Sequence, residues 1–213
     1  MPRAEANEPS FVRDHLYSTK RHNRRRHGRS VVRERLVEQA REGDEVAFTE
    51  LVDLDGDRCY AIAYRILRDV ERAQDAVQQA FLLAWRELPR LRDASRFEVW
   101  LYRLVVNACY EELRRYRRWA TNVRALPVDG PGGGDETVSI DDRDALERAF
   151  RTLSPEHRAV VVLHHHAGLP LASIAEVAGV PVGTIKSRLH YATRTLRETL
   201  AVDRVDSRKV RSA

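Results

Sequence analysis

The sequence predicts an all-α protein: two small helical domains joined by a flexible acidic linker. Three observations carry this. Apolar residues recur every three or four positions through most of the chain, the period of a helix with one buried face. No stretch shows the strict alternation of a half-buried strand. One segment, LPVDGPGGGDETVSIDD (Leu126 to Asp142), combines consecutive glycines, two prolines and a cluster of acids. It holds too little apolar surface to offset the entropy of ordering it. A chain of 213 residues is long enough for two small domains, and its 43% hydrophobic content is enough to pack them. The net charge of +5 is modest but unevenly placed, which favours an acidic partner such as nucleic acid or an anionic surface.

The first 30 residues lack hydrophobic periodicity. They end in a basic block, KRHNRRRHGR (Lys20 to Arg29), that reads as a disordered extension. A first domain is expected over 31–119. Val32, Leu36, Val37 and Ala40 mark its first helix, which Gly43 ends. Asp44 is placed to cap the second, with Val46, Ala47, Leu51 and Val52 on its stripe. DLDGDR (Asp53 to Arg58) resembles half of a calcium loop. Its glycine comes too early in the loop and no glutamate closes it, so calcium is rejected. Gly56 is expected to weaken or bend this helix, which resumes with Cys59, Ile62, Ala63 and Leu67. A third helix runs from Arg72 to Leu88 on Ala73, Ala76, Val77, Ala80, Phe81 and Ala84, and Pro89 ends it. After a polar loop (Pro89 to Arg96), a fourth helix spans Phe97 to Trp119. It buries Trp100, Leu101, Leu104, Val105, Ala108 and Leu113 and finishes as LRRYRRW, a basic end with interleaved aromatics.

The linker is assigned to 120–142, a second domain to 143–200 and a tail to 201–213. Ala145, Leu146, Ala149 and Phe150 share one helix. Ser154 and Pro155 form an N-cap and first-turn pair for the next, which stops near Gly168. A short helix then leads through Gly179 into VPVGTIKSRLHYATRTL. This last helix has two unlike faces. Ile185, Leu189, Ala192 and Leu196 are apolar; Thr184, Lys186, Ser187, Arg188, His190, Tyr191 and Arg194 are polar or basic. Two helices joined by a tight glycine turn form a helix-turn-helix, and the polar face of the second suits the DNA major groove. No carboxylate offsets that face before Glu198.

Two further features point away from other classes. His164, His165 and His166 are adjacent, whereas two ligands on a helix need i, i+3 or i, i+4 spacing, so neither a metal nor any other cofactor is expected. Cys59 and Cys109 have no C-x-x-C spacing and read as buried thiols in a reducing compartment. No apolar run approaches the ~18–20 residues of a membrane span, and no secretory signal is recognisable, so no membrane insertion and a cytoplasmic location are expected. No phosphate loop and no nucleophile–base pair suggests an enzyme.

The motifs go further. RAQDAVQQAFLLAWREL (Arg72 to Leu88) and FEVWLYRLVVNACYEELRRYRR (Phe97 to Arg118) resemble the pattern D-x-V-Q-[ED]-x-F-x-x-x-[WY] followed by F-x-x-W-L-Y-R-[IL]-x-x-N. LSPEHRAVVVLHHHAGLPLASIAEVAGVPVGTIKSRLHYA contains P-V-G-T-[IV]-[KR]-S-R-[LI]. In this order, over about residues 35 to 200, the blocks resemble bacterial RNA polymerase sigma factors of the extracytoplasmic-function (ECF) group.

The resemblance implies a sigma factor that binds RNA polymerase core and reads the −10 and −35 promoter elements. Its partners would be the clamp helices of the largest polymerase subunit, the flap of the second-largest, promoter DNA and an anti-sigma factor. By motif position, Asp75, Val77, Gln78, Gln79 and Phe81 would face polymerase, with Gln79 standing where the family usually has an acid. Leu91, Arg96, Asn107, Arg114, Arg115, Arg117 and Arg118 would face the −10 element, Leu91 replacing a frequent aromatic. Thr184, Lys186, Ser187, Arg188, His190, Tyr191 and Arg194 would read −35, with Tyr191 departing from a common arginine. The acidic linker would thread into polymerase or serve as a spacer. The rival readings are a regulator that binds an operator without polymerase and a helical adaptor whose basic faces meet acidic protein.

Overall fold

The computed structural model describes residues 23–122 and 140–211, with side chains over 30–119 and, apart from residue 147, over 145–201. The described residues are helical throughout, joined by short turns. They comprise α1 (Asn23–Arg41), α2 (Glu45–Leu67), α3 (Val70–Glu87), α4 (Phe97–Asn122), α5 (Ile140–Arg151), α6 (Pro155–Val161), α7 (Leu171–Ala178) and α8 (Val182–Arg211). Short 3₁₀ turns at Leu88–Arg90 and Ala94–Arg96 connect α3 to α4.

Local chemistry sets most boundaries. Gly43 takes φ +98° in the turn after α1. The Asp44 carboxylate then accepts from the N–H groups of Val46 and Ala47, satisfying two donors left over at the start of α2. Arg68 closes α2 in the left-handed conformation, and its N–H donates to the Tyr64 carbonyl at 2.7 Å. The next residue, Asp69, caps α3 through the Arg72 N–H. α3 therefore starts at Val70, two residues before the expected Arg72. Ser154 caps α6, and Pro155 occupies its first turn.

α1 to α4 pack as a bundle around Leu51, Ile62, Ile66, Leu101, Val105 and Tyr102, all withdrawn from solvent. Burying each large aliphatic contributes about 1.5–3 kcal/mol. A polar network ties three of the helices together. Arg33 of α1 donates bidentately to Asp55 of α2, at 2.8 and 2.6 Å, and the pair is nearly fully buried. Glu98 of α4 joins it: Arg58 lies 3.2 Å away, and the Tyr102 hydroxyl donates to the same carboxylate at 3.1 Å. Asp55, in the stretch weighed as half a calcium loop, is thus spent on an arginine.

Several expectations are corrected. The helix of the first domain begins at Asn23, so the last part of the basic block assigned to a disordered 1–30 extension is helical. Arginine is a good helix former, and the block simply continues α1 backwards. α2 runs through Gly56 without a break, because its packed faces outweigh the ~1 kcal/mol that glycine costs a helix. Val32 and Val46, placed on buried stripes, are exposed. Trp100 is only half-buried, tilted against Phe97. The helix of the second domain continues to Arg211, so the tail assigned to 201–213 is helical over its described part. Residues 123–139, most of the linker, lie outside the described residues.

α5 to α8 form the second domain, with Ile174, Val177, Ile185 and Ala192 buried among them. Between α6 and α7 the chain makes a π turn, Val162–His166, whose Ala167 N–H reaches back five residues to the Val162 carbonyl. The two domains meet. One continuous set of buried side chains runs through both. The Arg58 guanidinium donates to the Ala167 carbonyl at 2.6 Å, and Arg158 donates to the Ile66 carbonyl at 2.8 Å.

Candidate nucleic-acid interface

The helix-turn-helix is built as its residues require. Gly179 takes φ +65° at the end of α7, a left-handed position that glycine occupies without strain, and its N–H caps the Ala175 and Glu176 carbonyls. α8 then rolls Ile185 and Ala192 fully inward. Lys186, Ser187, His190, Tyr191 and Arg194 face solvent, while Thr184 and Arg188 are half-buried. The Ser187 hydroxyl donates back to the Gly183 carbonyl at 3.1 Å, which leaves its oxygen turned outward as an acceptor. Tyr191 stacks on His157 of α6 at 4.8 Å, and Arg194 sits over the Tyr191 ring at 5.5 Å.

His157 was missed in the sequence, although its place three residues after the Ser154 cap puts it in the first turn of α6, where it is half-buried. Burial and the neighbouring Arg188 hold its imidazole below the ordinary range. Burial pushes the Glu156 carboxyl up. Hydrogen bonds from its own amide and Ser154, together with Arg188 and Arg117, outweigh that and hold it low. Arg117 is on α4, so a cation from each candidate DNA face helps to hold this one carboxyl low. Tyr110 of α4 lies in the same place: burial and Glu156 push its phenol up to about 12, against the pull of Arg188.

On α4, Asn107, Arg114, Arg115, Arg117 and Arg118 are all exposed. Asn107, Arg114 and Arg118 fall on one face, together with Arg103, which is also exposed and was missed. The i, i+4 interval from Arg103 to Asn107 was readable. Arg114 donates to Glu111 at 2.5 Å and Arg115 to Glu112 at 2.7 Å, each one turn back. Leu91 is half-buried against the core, its N–H bonded to the Leu88 carbonyl. Arg96 is separated from the rest. Its guanidinium is paired with Glu176 of α7, in the other domain.

The third set lies on α3. Asp75, Gln78 and Gln79 are exposed and Val77 is half-buried. Phe81 is 8% exposed and meets Phe48 edge-on at 6.4 Å, so most of its ring belongs to the core, as its place on the apolar stripe implies, while part of it lines the groove beside these residues. Beside these residues, α2 and α3 enclose an open groove of about 610 Å³, lined by Phe48, Val52, Tyr60, Val77, Gln78 and Leu82 among others. Leu82 is 55% exposed at its rim. It was readable in the sequence as a large apolar residue standing off the buried stripe.

Comparison with known proteins accords with this arrangement. Residues 51–119 match the model of sigma-70 region 2, and residues 149–198 match that of sigma-70 region 4. The chain is 36% identical over 141 residues to the ECF RNA polymerase sigma factor SigL of Mycobacterium tuberculosis, covering 65% of this chain and 80% of SigL. It is 29% identical over 176 residues to the ECF RNA polymerase sigma factor SigW of Bacillus subtilis, covering 77% and 94%. Among solved structures it is similar in fold to the sigma factor RpoE of Bartonella quintana, solved in complex with the anti-sigma factor NepR. The TM-score is 0.62 at 24% identity, covering 73% of this chain and 98% of that one.

Proposed function

Because the chain belongs to the ECF RNA polymerase sigma factors and so directs promoter-specific transcription, we propose that it works through two separate DNA-reading faces and one polymerase-facing groove. The face of α8 reads the −35 element. Arg188 and Lys186 reach guanine edges or phosphates, Ser187 and Thr184 supply short polar contacts, and His190, Tyr191 and Arg194 extend the contact along the groove. The observation that carries this is the inward roll of Ile185 and Ala192, which leaves the cationic half of α8 outward just after the Gly179 turn.

The exposed row on α4 faces the −10 element, with Asn107 for an unpaired base and Arg114, Arg115, Arg117 and Arg118 along the backbone. Leu91 and Arg96 border that site. Asp75, Val77, Gln78 and Gln79, with the groove beside them, meet the clamp helices of the largest polymerase subunit; the α5–α8 domain meets the flap of the second-largest. The role is binding, without catalysis or cofactor. No described helix is long and apolar enough to cross a membrane, and the site of action is the cytoplasm, where promoter DNA is. An anti-sigma factor is the expected regulator, as RpoE has in its complex.

Run-off transcription with bacterial core polymerase on genomic promoter fragments tests this reading. Transcripts should appear only when the protein is added and fade with Asn107→Ala or Arg188→Ala. If the protein alone shifts duplex DNA and no start site depends on it, the operator-binding reading replaces this one.

A further inference from the structure

The basic end of α4 carries an aromatic pair that the core does not use. Tyr116 and Trp119 are three residues apart and share a helix face. Their rings stack at 6.1 Å with 28° between planes. Arg72 of α3 lays its guanidinium 3.7 Å from the centre of the Tyr116 ring. Arg72 is itself held by Asp69, the cap of α3, at 3.3 Å. Tyr116 is therefore clamped from the neighbouring helix, and the pair is pre-positioned.

Trp119 is the outer member. It is 54% exposed, whereas Trp85 and Trp100 are half-buried against the bundle. A large exposed aromatic ring on a rigid support, within a run of cations, has a specific chemistry. Every nucleic-acid base has a π face, so stacking on such a ring tolerates any sequence. Arg115, Arg117 and Arg118 are exposed on the same turns and supply charge for the adjoining phosphates. Duplex DNA hides its base faces in its own stack. The matching ligand is therefore an unpaired base, and the charge favours nucleic acid over a neutral apolar partner.

We propose that Tyr116 and Trp119 form a stacking platform for one unpaired base of single-stranded DNA, with the neighbouring arginines on its phosphates. This rests on the reading that α4 faces the melted −10 strand. It adds a contact at the far end of that helix, remote from Asn107.

The test uses the full chain bound to core polymerase and a short single strand carrying 2-aminopurine at successive positions, whose fluorescence falls on stacking. One position should be quenched. Trp119→Ala should remove that quenching and weaken single-strand binding by about tenfold or more. Trp119→Phe should restore most of it. Affinity for −35 duplex should stay unchanged, and a strand made abasic at the quenched position should bind wild type and Trp119→Ala alike. Unchanged quenching in Trp119→Ala, or equal weakening for the base-containing and abasic strands, overturns the platform. So does displacement of the strand by poly-glutamate in a Trp119-dependent way, which would assign the pair to an acidic protein. If run-off transcripts still depend on the protein while the Trp119 signal is absent, the platform alone fails. If no transcript depends on the protein, the underlying reading fails with it.

Discussion

The cations at the end of α4 and those on α8 are held in different ways. On α4, Arg114 and Arg115 are each paired to a glutamate of the previous turn. Their charge is partly answered within the helix. On α8, the first carboxylate after Val182 is Glu198. Arg194 lies 3.7 Å from that glutamate, but the side chains before it meet other elements: Tyr191 stacks on His157, and Arg188 helps hold the Glu156 carboxyl of α6 low. The difference separates two uses of charge. A locally paired arginine row gives a backbone track whose strength depends on salt. A face oriented by tertiary contacts gives the fixed geometry that base readout requires.

The largest test removes the support of α8. Ile185→Ala deletes a fully buried side chain and should cost about 2–5 kcal/mol. Urea unfolding should show the loss, and −35 duplex binding should fall with it. A full loss of stability with unchanged duplex binding would mean the face does not depend on this packing.

The next test sets the two faces against each other. Arg188→Ala should weaken −35 binding by about 1–3 kcal/mol and relax the preference at one base position. Arg114→Ala should weaken binding uniformly across sequences and reduce the salt slope by about 1. Identical salt slopes and specificity profiles for the two variants would collapse the distinction.

The docking of the α5–α8 domain on α2 should be acid-sensitive. Burial, with His164 beside it, lowers His165 to about 4. His166, part of which remains in water, is lowered to about 4 by burial and by Arg65 and Arg58 of α2. A histidine depressed in the folded state favours the neutral form there. Above its ordinary value of ~6.5 it costs nothing. As the pH falls below that value, the unfolded chain takes up the proton first and stability declines, levelling off near pH 4. Thermal melts between pH 7 and pH 4 should shift downward in wild type and flatten in a His165→Gln, His166→Gln double variant.

The smallest expected effect concerns Arg96. Glu176→Gln frees its guanidinium from an exposed ion pair of ~0–1 kcal/mol. Binding of −10 single strand should tighten by no more than about fivefold. A larger gain would mean that the contact between the domains, rather than one pair, withholds this side chain from DNA.

Much was legible in the chain because it is local. The period of apolar residues located the helices, and the Asp44 and Ser154 caps and the Gly179 turn marked boundaries that the structure shares. The inward and outward faces of α8 followed from Ile185, Ala192 and Lys186 alone, since a helix fixes which residues share a side. The exposed row of α4 was partly legible by the same rule. Only the tertiary structure decided the rest. Asp55 meets Arg33 across 22 residues, and Arg96 meets Glu176 across 80. Nothing in either neighbourhood encodes such pairing, because any arginine and carboxylate are equivalent until the backbone brings two of them together. The same holds for Trp119, a large aromatic on an amphipathic helix, which stays exposed because the neighbouring helices leave it uncovered.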